Sequence, residues 1–350
     1  MKKILKWIEY GRYQALMQSL MPAVLAVVLS IGAEGFCWWC AVLAVFGVCC
    51  AHLAMNIADD WFDYRVDMMG DRDRVIRKGF RAMTMKYPYL TDGTQTLRST
   101  AVAIACFVIV ACTCGLAIFI HRTAEAGLWG IDGSWWIAAI VAICAFLGIF
   151  YSAPPIKLAY RGLGELVIGF IFGPLLMCGV YYASCGKMDW SIAAVGVPVG
   201  ILVLNILFTH SFIDMESDAE SNKMTFARVL GSRKACLVGA FVFNLVPFAI
   251  VLAAVIAGFL HPAYLAVLLV LPRAIWLCRS LVRFKKSSSD SGDIPEKPSL
   301  LLGPMPLKQW DKVREAGIDW FLMRWLCARN ILSGFCLVFI IVKILLVVCL

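Results

Sequence analysis

The chain has 350 residues, a formal net charge of +9 and 61% hydrophobic residues, with a mean hydropathy of +0.82. Soluble domains are about 45–50% apolar, so this composition excludes an ordinary soluble protein and points to one that lives in a bilayer. The apolar runs are long and unbroken rather than short and alternating, which excludes a β-barrel and leaves an all-α, polytopic membrane protein.

The N-terminus, Met1-Lys-Lys-Ile-Leu-Lys-Trp7, is basic and amphipathic. No small-residue cleavage site follows the first apolar run, so that run is expected to be a retained helix. Apolar runs predict nine spanning helices at about 14–33, 37–58, 97–120, 135–152, 163–183, 191–212, 234–258, 262–284 and 328–349. They would bundle as a single domain over residues 1–350 around a central cavity open to the cytoplasm. The loops around 65–98, 153–162, 213–234 and 279–329 carry nearly all the Lys and Arg, whereas those around 34, 121–134, 184–190 and 258–262 hold only Arg122 and Lys187. This bias puts the first set, with the N-terminus, on the cytoplasmic side of a bacterial or archaeal-type membrane. It also accounts for the net charge without nucleic acid as a partner.

Two cytoplasmic segments are long enough to do more than connect. The 68–96 loop holds Arg72, Arg74, Arg77, Lys78, Arg81 and Lys86 and could cap a site. The 285–320 stretch is rich in Lys, Ser and Pro and is expected to be a flexible loop. Trp310 to Trp325 reads as an amphipathic surface helix leading into the last span. Most of the fifteen cysteines, among them Cys49, Cys50, Cys106, Cys112 and Cys114, lie inside apolar runs. There they serve as small hydrophobes, and no Cys/His cluster of zinc-site spacing is expected. No internal repeat is evident.

The chemistry concentrates where the second span ends, at Asn56-Ile-Ala-Asp59-Asp60-Trp-Phe-Asp63-Tyr-Arg65-Val-Asp67. Carboxylates at a membrane boundary are costly unless something positive binds among them. Asp59, Asp63 and Asp67 are spaced i, i+4, i+8, which stacks them on one helical face about 6 Å apart along the axis. Asn56 shares that face, and Asp60 points about 100° away. A row of oxygen ligands suits a hard cation such as Mg²⁺, usually held by one or two carboxylates plus substrate phosphates. Asp214-Met-Glu216-Ser-Asp218 repeats the i, i+4 pair at the end of the sixth span. Two such stations could hold two metals across a diphosphate. The basic counterpart is Tyr151-Ser152-Ala-Pro154-Pro155-Ile-Lys157-Leu-Ala-Tyr160-Arg161-Gly162-Leu-Gly164-Glu165. There Lys157 and Arg161 supply donors for phosphate oxygens, or else serve only as membrane anchors. The bland alternative for the first motif is an acidic helix end paired with nearby basic residues.

The two Asp-rich stretches and the turn between spans four and five resemble the UbiA superfamily of intramembrane prenyltransferases. Asp59-Asp60-Trp-Phe-Asp63-Tyr-Arg-Val-Asp67 resembles the family's first motif, NDxxDxxxD, and Asp214 to Gly231 its second, DxxxDxxxGxxT with a Leu-Gly ending. Tyr151-Ser152, Lys157 and Tyr160 to Glu165 are most similar to the 1,4-dihydroxy-2-naphthoate branch, which makes menaquinone precursors. The resemblance departs at Asp59, where the family has Asn, at Asn222 in place of Gly, and at His210-Ser-Phe-Ile213 before the second motif.

The resemblance implies Mg²⁺ held by Asn56, Asp59, Asp63, Asp214 and Asp218, with Asp63, Asp67, Asp214 and Asp218 essential to catalysis. It implies that Lys157, Arg161, Tyr151 and Ser152, with Arg77 and Lys78 from the cap loop, bind an isoprenyl diphosphate. Ionisation would give an allylic cation, captured by an aromatic acceptor such as 1,4-dihydroxy-2-naphthoate, with the prenyl tail lying toward membrane lipid. Other acceptors within the superfamily are 4-hydroxybenzoate, haem, chlorophyll-type and lipid-glycerol compounds. An ion-coupled transporter would explain the acids but not Lys157 and Arg161. Three further residues are ambiguous in sequence: His210 is an acceptor contact or a core histidine, Glu165 a base or a helix N-terminal charge, and Arg12 an acceptor contact or a headgroup anchor.

Overall fold

A computed structural model describes residues 2–67, 87–189, 191–220, 224–284, 298–305 and 310–349. The described residues form helices and turns, with no strand among them. Among the described residues, an amphipathic helix, α1 (Lys2–Tyr10), precedes nine helices long and apolar enough to cross a membrane. The first crossing segment, Tyr13–Ser30, is a 3₁₀ turn followed by α2 (Met17–Ser30). Next come α3 (Trp38–Asp67), α4 (Leu97–Ala126), α5 (Trp135–Ser152) and α6 (Gly164–Cys185). The series closes with α7 (Ser191–Ile213), α8 (Arg233–Ile256), α9 (Pro262–Arg283) and α10 (Asp319–Cys349). The expected all-α, nine-span architecture is therefore present.

Two boundaries differ from expectation in ways that matter. Helix α3 runs nine residues past its apolar stretch, through the whole first acidic motif, so the Asp spacing is helical spacing. The expected surface helix over Trp310–Trp325 is instead a short turn of helix, Trp310–Glu315, followed by the start of α10 at Asp319. Gly317 takes a positive φ of 67° there, which ends the first helix. Of the 285–320 loop, residues 285–297 and 306–309 lie outside the described residues. The described parts bury Leu302 and Trp310, and Asn330 of α10 donates to the backbone oxygens of Leu302 and Pro304.

The chain divides into two compact units, Met1–Leu158 with Pro174–Gly196, and Ala159–Gly173 with Val197–Leu350. In the first, α3 packs along α4, and α2 packs on the second half of α6. The buried face of α3 carries Cys40, Ala41, Ala44, Cys50, Leu53, Ala54 and Ile57. Such small residues let helix backbones approach closely in a bilayer, where there is no hydrophobic drive between helices. Gly47 shows the same device, since a Cβ there would lie 3.2 Å from Cys114 Cβ on α4. The opposite faces expose Phe46, Ile109, Phe146 and Ile149, side chains suited to lipid tails.

In the second unit, Asn205 on α7 and Asn244 on α8 are fully buried and exchange amide hydrogen bonds of 3.0 and 3.2 Å. Such a reciprocal pair satisfies both amides away from water. The first part of α6 crosses α7 closely at Gly169, where a Cβ would stand 2.7 Å from the Gly200 carbonyl oxygen. Backbone cannot yield to that contact. Gly169→Ala should cost about 1–3 kcal/mol of stability, read as a lowered Tm in detergent, whereas Gly115→Ala, where a Cβ meets open space, should leave Tm unchanged.

Candidate active site

The last turns of α3 form the acidic station of the first unit. Carboxylates at a helix C-terminus oppose the helix dipole, so their neighbours must supply positive charge or donors. Ser152, the buried final residue of α5, donates from Oγ to Asp59 Oδ1 at 2.7 Å. Arg12 sets Nη2 3.5 Å from Asp59 Oδ2 and 3.3 Å from Asp60 Oδ1, and donates to the Asn56 backbone oxygen at 3.0 Å. Asp60 is buried and accepts a 3.0 Å hydrogen bond from the Tyr89 hydroxyl. Burial, and then the Asp60 charge, push the Tyr89 hydroxyl pKa upward, so it stays a donor at neutral pH.

These contacts sort the acidic residues by task. Asp60 is used internally, gripped by Tyr89 and Arg12, in keeping with its position off the ligand face. Asp59 and Asp63 are half-buried on that face. Asn56 donates its Nδ2 to the Gly11 carbonyl at 2.8 Å, which leaves Oδ1 as its remaining ligand atom. The helix reaches Asp67, but the Asp67 side chain lies outside the described residues, as do Arg77, Lys78 and Asn222. Arg12, ambiguous in sequence, is tied to the acidic motif. Behind it, Tyr10 stacks on Tyr89 at 4.4 Å, and the Trp7 ring meets both edge-on. Sequence reasoning missed Tyr89, whose only signal is an aromatic cluster, Tyr87-Pro-Tyr89, just before α4.

The chain then leaves α5 through Ala153 to Lys157. Lys157 takes a positive φ of 50° and donates its backbone N–H to the Ala153 oxygen at 3.1 Å. This tight turn begins one residue after Ser152, so Lys157 stands five residues beyond the residue that orients Asp59. Tyr151 and Lys157 are both half-buried.

The second unit holds its own acidic station. Helical bonding carries on past α7: Asp214 N donates to the His210 oxygen at 3.0 Å and Asp218 N to the Asp214 oxygen at 2.8 Å. Asp214 and Asp218 thus share a face one turn apart, and both are buried, at 4% and 1% exposure. Two carboxylates so deeply buried are costly unless a cation and directed donors accompany them. His210 Nε2 lies 3.0 Å from Asp214 Oδ2, and its ring sits edge-on to Phe321. His210, ambiguous in sequence, flanks a carboxylate of the motif.

Glu165 also has a role that sequence reasoning missed. It lies in the first turn of α6, yet its carboxylate accepts from Ser211 Oγ at 2.6 Å and from the Phe226 backbone N–H at 3.1 Å. It brackets the end of α7 to the short helix Phe226–Leu230 that follows the second motif. At Gly162 a Cβ would lie 2.3 Å from Val229 Cγ2, so the glycine allows close approach to that same helix. Arg161, one residue earlier, is exposed, and Arg228 donates to the Asp218 backbone oxygen at 3.3 Å.

Each station offers hard oxygen donors one helical turn apart, the donor set that Mg²⁺ takes when it bridges carboxylates and phosphate oxygens. The residues present fit that ion.

The UbiA prenyltransferase family model matches residues 19–292. The chain is 26% identical over 236 residues to 1,4-dihydroxy-2-naphthoate octaprenyltransferase of Mycobacterium tuberculosis, covering 67% of this chain and 73% of that one. It is 22% identical over 280 residues to the enzyme of the same name from Bacillus subtilis, covering 79% and 81%. Among solved structures, digeranylgeranylglyceryl phosphate synthase superposes with a TM-score of 0.60 at 16% identity, over 98% of this chain and 99% of that one. A UbiA homologue from Archaeoglobus fulgidus bound to GPP and Mg²⁺ gives 0.55 at 16% identity, over 90% and 97%. Since the match spans most of the nine-helix frame and takes in both acidic motifs, the chain belongs to the UbiA prenyltransferase family and is an integral membrane prenyltransferase.

Proposed function

We propose that this enzyme transfers a prenyl group from an isoprenyl diphosphate to 1,4-dihydroxy-2-naphthoate or a closely similar aromatic quinone precursor, with Mg²⁺ as its metal. The observation that carries the reading is the pair of helical acidic stations, one held by Ser152 and Arg12 and one buried with His210. Relatives named as naphthoate prenyltransferases support the acceptor, and a structural neighbour bound to GPP and Mg²⁺ supports the donor and metal.

Mg²⁺, when bound, supplies Lewis-acid neutralisation of the departing diphosphate. The protein residues set up the rest. Asn56 Oδ1, Asp59 and Asp63 would hold the ion at the first station, and Asp214 and Asp218 at the second. Ser152 and Arg12 hold Asp59 in one orientation, which lowers the reorganisation needed when charge develops. Lys157, Arg161, Tyr151 and Ser152 would donate to phosphate oxygens, with Arg77 and Lys78, which lie outside the described residues, as further donors. The allylic carbon–oxygen bond breaks with its electron pair leaving on the diphosphate. A ring carbon of the acceptor then bonds to the allylic carbon, and the ring proton is lost. The basic loops support an orientation in which the N-terminus and both acidic stations face the cytoplasm.

Ser152→Ala removes one hydroxyl, the donor to Asp59, and should reduce kcat about tenfold with a smaller change in KM for the diphosphate. Steady-state kinetics on membranes would check it. The acceptor is tested by extracting lipids from cells with and without the protein and identifying the prenylated product by mass spectrometry. A prenylated naphthoquinone that appears only with the protein is expected. A prenylated hydroxybenzoate or glycerol ether in its place would refute the acceptor.

A further inference from the structure

At the opposite end of α3 from the acidic motif, the sequence Cys37-Trp-Trp-Cys40 corrects the expectation that no cysteine set has metal-site spacing. A ligand atom from each of Cys37, Cys40 and His121 falls in one group, all within 4.8 Å of one another. Cys40 lies about 35 Å along the helix from Asp63 at 1.5 Å per residue, so this cluster is separate from the acidic station. The pattern escaped sequence reading because both cysteines border an apolar run and the histidine is 81 residues further on.

The surroundings fix the three residues in place. The Cys37 backbone N–H donates to the Ser184 oxygen at 2.8 Å. Just upstream, the Gly35 oxygen accepts from Arg122 Nη1 at 3.1 Å, and a Cβ at Gly35 would strike the Cys185 carbonyl oxygen at 2.6 Å. The Trp39 ring packs against the imidazole of His121, with centroids 4.7 Å apart and the planes tilted by 57°. His121 Nε2 is buried with no hydrogen-bond partner. Glu125 Oε1 stands 3.2 Å from it, close enough for charge attraction but not aligned as a hydrogen bond. A buried imidazole nitrogen with no hydrogen bond is an unmet cost. Two thiols, an imidazole and an adjacent carboxylate together form an environment for a cation.

We propose that Cys37, Cys40 and His121 bind Zn²⁺. Around tetrahedral zinc, with Zn–S of about 2.3 Å and Zn–N of about 2.0–2.1 Å, ligand atoms stand roughly 3.5–3.8 Å apart, so binding requires the site to close by at most about 1 Å. The two thiols give up their protons, and the thiolates neutralise the ion's charge. A water or Glu125 takes the fourth position. The site ties the start of α3 to the end of α4 and acts on stability rather than on prenyl transfer.

The test uses the purified full-length protein in detergent, reduced and metal-free, with excess Mg²⁺ present to occupy oxygen-donor sites. Titration with Co²⁺ should produce a thiolate-to-cobalt charge-transfer band in the near ultraviolet that saturates at one equivalent and is bleached by Zn²⁺. Cys37→Ser and His121→Ala should each lose that saturating band while retaining prenyl transfer, which reports a folded protein. Absence of the band in the reduced wild type overturns the proposal, as does a band that persists in Cys37→Ser. A Cys37–Cys40 disulfide in the protein as isolated, with no cobalt band after its reduction, would also overturn it and mark the pair as a redox couple.

Discussion

Asp63→Asn and Asp218→Asn are each expected to reduce prenyl transfer by about 10³-fold, roughly 4 kcal/mol of transition-state stabilisation, with the protein still folded. Asparagine keeps the size and one oxygen of the side chain but removes its charge. Both residues belong to helical i, i+4 rows, one at the end of α3 and one following α7. On the proposed metal assignment, a neutral amide at either position would weaken cation binding at its station. Asp60→Asn should behave differently, because Asp60 is already engaged by Tyr89 and Arg12. Its loss should lower stability more than it lowers kcat in the protein that remains folded. Initial rates with saturating prenyl diphosphate, alongside thermal melts of each variant, separate the two effects. Activity near wild type in both Asp63→Asn and Asp218→Asn would contradict the metal assignment.

Arg122→Leu is expected to destabilise the first unit by about 3 kcal/mol or more. Sequence placed Arg122 in a loop; the structure places it in the last turns of α4 at 1% exposure. Its guanidinium donates to the Ala183 oxygen from Nε at 3.2 Å and from Nη2 at 3.0 Å, and to the Gly35 oxygen from Nη1 at 3.1 Å. Nη1 also meets Glu125 Oε2 at 2.5 Å. Leucine fills much of the space yet leaves the buried Ala183 carbonyl oxygen without its donors and removes the one to the Gly35 oxygen. Arg122→Lys should recover only part of the loss, since one ammonium cannot reproduce the planar fork. The readout is Tm in detergent, and an Arg122→Leu variant as stable as wild type would contradict this assignment.

What could be read from sequence, and what could not, follows from the range of the interactions. Nine spans are visible because bilayer thickness demands about 20 apolar residues in a row. The two Asp rows are visible because their geometry depends only on the helical repeat. Their partners are not. Ser152 meets Asp59 across 93 residues, Tyr89 meets Asp60 across 29, and Glu165 reaches Phe226 across 61. Each rests on tertiary packing that no local pattern encodes. Glu165 illustrates the difference well: at a helix N-terminus its charge has a sufficient local reason, so nothing in sequence demands the bracket it forms. The Trp310–Trp325 region misled in the opposite way, since its amphipathic pattern spans a break at Gly317. Cys37 and Cys40 were hidden by company, because cysteines among Phe, Trp, Ala and Val read as filler until His121 is seen beside them.

The most direct measurement uses the purified protein in liposomes, supplied with an isotopically labelled isoprenyl diphosphate and 1,4-dihydroxy-2-naphthoate. With Mg²⁺ present, labelled prenyl naphthalenoid and diphosphate should form in equal amounts; with EDTA in its place, both should fall to background and return when Mg²⁺ is restored. Product formation undiminished by EDTA, or diphosphate release with no prenylated naphthoate, would contradict the account.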